Sequence, residues 1–159
     1  MGGPYFVDFE AFQHGNERFQ VKELCVIDVD FPLEPLYFLF ESQAPTSPEA
    51  QTTYNYQTNH IHHLHWNEGT SRYCKACIIY YIKKQFPYAS NGIFYVMGKQ
   101  KLAFLKEEFP LFNFVEYNAT METLTTIPLN IHCLHHNHGE HCACLKCYRL
   151  LNDYLHLIE

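Results

Sequence analysis

Tyr5-Phe6-Val7-Asp8-Phe9-Glu10, almost at the first residue, is aromatic or β-branched at every position except two, and those two are carboxylates. Such a run reads as a strand. Side chains alternate across a strand, so Asp8 and Glu10 point to one face while Val7 and Phe9 point to the other. Two carboxylates side by side repel unless a cation or hydrogen bonds hold them, which makes this pair a candidate site.

Working outward, residues 13–16 supply a turn and 18–29 a second strand, in which Val21, Glu23, Cys25 and Ile27 share a face opposite Leu24 and Val26. Glu23 is then a charge in an apolar row. Residues 35–41 make a third strand, and 43–58, rich in Pro, Ser, Thr, Gln and Asn, read as a loop. The histidine run from His60 to His65 reads as a solvated or sheet-contacting segment rather than a site. Thr70 or Ser71 is the expected N-cap of a helix in which Cys74, Cys77, Ile78, Tyr81 and Ile82 recur at three and four residues. Cys74 and Cys77 fall there at ordinary inward-facing core positions. Asn91-Gly92 punctuates the chain; 93–97 reads as a short buried strand, 99–108 as a helix and 111–116 as a strand. Ala143, Cys147, Leu150, Leu151, Tyr154 and Ile158 form the apolar stripe of a closing helix. The order β-β-β-α-β-α-β-α predicts an α/β fold, a mixed five-stranded sheet flanked by helices, in one domain over residues 1–159. This order resembles the ribonuclease-H-like layout.

Residues 131–147, IHCLHHNHGEHCACLKC, hold five of the eleven histidines and four of the seven cysteines. Thiolates and imidazoles together are how proteins hold zinc. Cys133 and His136 form a Cys-x2-His pair, and Cys142 follows at the start of the last helix, so three ligands can converge without a long loop closure. Spacing does not determine the fourth; His132, His135, His138, Cys144 and Cys147 are all available.

A chain of 159 residues buries roughly two-thirds of its unfolded surface, enough for one core. At 47% hydrophobic and 16% aromatic residues the composition is that of a folded globular protein. No run of about 18 apolar residues occurs, so no membrane span is expected. The N-terminal residues lack the charged and then apolar regions of a secretory signal. An odd number of cysteines crowded beside histidines suits reduced thiols in a cytoplasmic or nuclear setting. The net charge of −6 argues against a broadly basic nucleic-acid surface while leaving room for a local basic patch.

Val7-Asp8-Phe9-Glu10 resembles the first motif of the DEDD-type 3′–5′ exonucleases, an Asp-x-Glu on strand one. His141-x-Ala143 resembles the start of their last motif, His-x-Ala-x-x-Asp, which opens the final helix. Glu23 with Cys133, His136 and Cys142-Ala143 is similar to the Glu-Cys-His-Cys set of the Maelstrom domain, a ribonuclease-H-like relative of those exonucleases. The resemblance implies a structural zinc held by Glu23, Cys133, His136 and Cys142, stapling the C-terminal helix. It also implies a nuclease centre at Asp8, Glu10 and His141, with magnesium or manganese on the two carboxylates. The chain departs from the exonuclease pattern at two positions: Lys146 stands where the last motif has its Asp, and residues 96–104 contain no middle Asp. A two-metal nuclease needs carboxylates around both ions. The expected function is therefore an RNA-binding module with an incomplete nuclease centre, whose partner is single-stranded RNA or a protein of an RNA pathway such as small-RNA silencing. The alternative is an active divalent-metal ribonuclease using Asp8, Glu10 and His141.

Overall fold

The structure, a computed structural model, describes residues 2–118 and 142–157. β1 (Tyr5–Phe12) and β2 (Gln20–Asp28) pair antiparallel, and β3 (Leu36–Glu41) adds antiparallel to β2. Ser71–Arg72, as β4, lies parallel to the end of β3. On the other side β5 (Ile93–Val96) runs parallel to β1, and β6 (Asn113–Glu116) parallel to β5. The result is a six-stranded mixed sheet in the order β4-β3-β2-β1-β5-β6, with β1 interior. The expected five strands are present; the sixth is the two-residue edge pair. The α-helices among the described residues are α1 (Pro48–Gln57), α2 (Lys75–Gln85), α3 (Lys99–Glu108) and α4 (Ala143–Leu157). None is long and apolar enough to cross a membrane.

Strand alternation sorts the apolar residues onto two sides. Tyr5, Val7 and Phe9 meet Ile78, Ile82 and Phe86 from α2 and its end, and Phe104 and Leu105 from α3. Phe6, Cys25 and Ile27 meet Ala143, Cys147, Leu150 and Leu151 of α4 on the other face. Phe6 anchors that second cluster: its ring stacks on Tyr95 at 5.8 Å and meets Tyr154 edge-on at 5.6 Å. Asp8 and Glu10 share Phe6's side of β1, so α4 lies over both carboxylates.

Several expectations are corrected. The shared face read for Val21, Glu23, Cys25 and Ile27 breaks at a bulge: Glu10 pairs with Glu23 but Ala11 pairs with Val21, leaving Lys22 as the extra residue. Val21 therefore turns to the α2–α3 side with Leu24 and Val26. The supposed loop 43–58 contains α1, whose Ser47 side chain accepts from Ala50 N–H at 3.0 Å with Pro48 in the first turn. Only Ala50 and Tyr54, one helical turn apart, are buried in it, which is why periodicity missed it. The histidine run, expected to be solvated or sheet-contacting, contacts the sheet at His62, which is fully buried with Nδ1 accepting from Leu64 N–H and its ring edge-on to Phe12 of β1 at 4.7 Å. Cys74, not Thr70 or Ser71, caps α2, because Ser71 and Arg72 are taken up by β3. Ile78 and Ile82 are the buried positions of α2, with Ile79 partly buried against the same core, leaving Cys74 half-buried and Cys77 exposed.

Candidate functional site

Asp8 and Glu10 are 2% and 6% exposed. Ionised carboxylates do not survive at that depth without partners. Lys101, from the first turn of α3, places Nζ 2.8 Å from Asp8 Oδ1, and Lys146, from the first turn of α4, places Nζ 2.9 Å from Glu10 Oε1. Two anions and two cations from three elements thus form one neutral tetrad. Burial pushes the Asp8 carboxyl above its ordinary value, against the pull of Lys101 and Lys146. Burial works to lower Lys146, but Asp8 and Glu10 outweigh it and hold the ammonium above its ordinary value. Both shifts have the same sense, so Asp8 and Lys146 each hold a proton more tightly than they would in water. One oxygen stands apart: Asp8 Oδ2 is buried without a hydrogen-bond partner among the described residues.

Lys101 was not anticipated, although the sequence carries a signal for it. Lys99 and Lys101 open α3 and Lys146 opens α4 with no acid in either first turn, although the positive end of a helix disfavours cations. A lysine in that position needs a compensating anion. For both helices the anion lies on β1.

Glu23, fully buried on β2, accepts from Ala143 N–H at 2.9 Å through Oε1 and from the Tyr37 hydroxyl at 2.5 Å through Oε2. It thereby satisfies a backbone donor at the start of α4 from a strand 120 residues earlier in the chain. Cys142, fully buried, directly precedes that donor, so two of the four expected zinc ligands come to the same end of α4. Cys133 and His136, and the expected catalytic His141, lie outside the described residues. Among the described residues no group of three or more His, Cys, Asp or Glu side chains is placed to hold a metal. Glu23 and Cys142 are thus a half-set that fits zinc only if the 131–141 stretch supplies the rest.

Deeper under α4, the Cys147 thiol lies 3.4 Å from the Cys25 carbonyl and 3.6 Å from that of Phe6, and burial pushes both thiols up. These sulfurs act as small core residues. Comparison with protein-family models and with curated proteins finds no match to this chain.

Proposed function

We propose that this chain is a nucleic-acid-binding module of ribonuclease-H-like, exonuclease-derived fold, with single-stranded RNA as its ligand or a protein of an RNA pathway as its partner. The strand order supports the fold: an antiparallel β1–β2–β3 meander, then β5 and β6 parallel to β1 on its other side. One observation carries the function. Asp8 and Glu10 sit where a phosphodiesterase of this layout would hold its ions, yet their near oxygens are taken by the ammoniums of Lys101 and Lys146. The two cations replace the metals' charge without supplying an activated water, so the centre is read as binding rather than cutting. A role in small-RNA silencing rests on the resemblance to Maelstrom domains. Zinc, held by Glu23 and Cys142 with Cys133 and His136, would tie β2 to α4. Stoichiometric zinc in the purified protein and loss of stability on chelation test that arm; protein that is metal-free and unchanged by chelator removes it.

A second reading, a divalent-metal ribonuclease using Asp8, Glu10 and His141, is favoured by Asp8 Oδ2, an oxygen with no hydrogen-bond partner among the described residues. Labelled single-stranded RNA, followed by anisotropy and on denaturing gels with EDTA, magnesium or manganese, separates the two. Binding that persists in EDTA with intact RNA is the expected result. Metal-dependent cleavage abolished by Asp8→Ala would install the second reading, and absence of binding in every buffer would overturn both.

A further inference from the structure

We propose that Cys74 and Cys77 form a redox-active dithiol that exchanges with external disulfides, Cys74 as the attacking sulfur and Cys77 as the resolving one. The pair occupies the N-terminus of the 11-residue α2 as Cys74-Lys75-Ala76-Cys77. Cys74 is the N-cap, in extended backbone (φ −140°, ψ 108°), and its Sγ accepts from Cys77 N–H at 3.2 Å. A sulfur at that point receives the positive end of the helix, and no acidic residue in the first turn offsets it.

The two thiols also interact with each other, and the contact is asymmetric. Hydrogen bonding from the Cys77 side chain, then from the backbone N–H groups of Cys77 and Ala76, holds the Cys74 thiol below its ordinary value. The same contact with Cys74 holds Cys77 above its own. Of the two sulfurs, Cys74 is therefore the one that gives up its proton more readily. Positions three apart at a helix start lie within the span a disulfide bridges.

Access separates this pair from the other described cysteines. Cys77 is exposed and Cys74 half-buried, whereas Cys25, Cys142, Cys144 and Cys147 are all buried. Ile78 and Ile82 supply the inward contacts of α2, so closing a ring at its first turn disturbs no core position.

In the reaction, the Cys74 thiolate attacks one sulfur of R–S–S–R, forming Cys74–S–S–R and releasing R–S⁻. Cys77 then loses its proton to solvent and attacks the Cys74 sulfur, forming the Cys74–Cys77 disulfide and releasing the second R–S⁻. The external disulfide gains two electrons and the protein dithiol loses them.

The test equilibrates the full chain with graded ratios of glutathione and glutathione disulfide, followed by acid quench, alkylation and tryptic mapping. Cleavage after Lys75 leaves two peptides that stay joined only if Cys74 and Cys77 are bonded. The expected result is that joined pair, together with a glutathione adduct on Cys74 that accumulates in Cys77→Ser and forms far more slowly on Cys77 in Cys74→Ser. Serine is itself a good N-cap, and neither position is in the core, so both variants are expected to fold. Glutathione on both sulfurs without ring closure, or equal adduct rates in the two variants, would overturn the proposal.

Discussion

Nζ of Lys146, in the first turn of α4, lies 2.9 Å from Oε1 of Glu10 on β1, in a pair whose side chains are 8% and 7% exposed. The contact spans 136 residues of sequence and joins the last helix to an interior strand of the sheet. An ion pair so deep adds less through attraction than it costs when one member is lost, because the survivor is left charged in a poor solvent.

Lys146→Met should therefore destabilise the fold by about 3–5 kcal/mol, and Glu10→Gln with Lys146→Met together by clearly less than that single change. Urea denaturation of the parent and the two variants measures this. Magnesium or manganese should raise the melting temperature of Lys146→Met but not of the parent, since removing one ammonium leaves an uncompensated anion. Equal metal response in both proteins would contradict the tetrad.

Lys22 predicts a pH dependence at the alkaline end. Residue 22 is the extra residue of the β2 bulge, fully buried, its Nζ held by the carbonyls of Trp66 and Glu68. Burial lowers its value from 10.5 to about 8. The folded state thus binds fewer protons than the unfolded one between those values, so this contribution to stability is present above 10.5 and lost as pH falls through 8. Relative to Lys22→Met, the parent should gain on the order of 3 kcal/mol between pH 8 and 10.5. Parallel curves for the two proteins would refute the assignment.

Glu23→Ala should cost about 1–3 kcal/mol, because it removes the acceptor of the buried Ala143 N–H. Glu23→Gln keeps an acceptor for the helix and should cost less. If zinc is bound as proposed, both variants also lose metal, so metal content measured beside stability separates the capping role from the ligating one.

Phe6→Ala should cost about 3–5 kcal/mol. Its ring lies among Tyr95, Tyr117 and Tyr154, at the centre of the contact between the sheet and α4. Near-ultraviolet circular dichroism should lose tyrosine signal at the same time. An unchanged spectrum and melting point would mean that α4 does not rest on this residue.

Local pattern was enough for much of this protein. Alternation over residues 5–10 marks β1 and puts Asp8 and Glu10 on one face, and three-and-four spacing marks α2 and the helix that follows Cys142. Those features depend on neighbours within one or two turns, so the sequence contains them whole. Tertiary structure decided the rest. The bulge that buries Lys22 and turns Val21 away from Cys25 depends on pairing between two strands, and Ser71 and Arg72 became a strand because the edge of β3 was open to them. The cations over Asp8 and Glu10 arrive from residues 101 and 146, which no local rule connects to a strand at the other end of the chain. Which residues can carry charge was thus legible in the sequence. Which charges neutralise one another was set only when burial removed water and left each ion to find its partner across the fold.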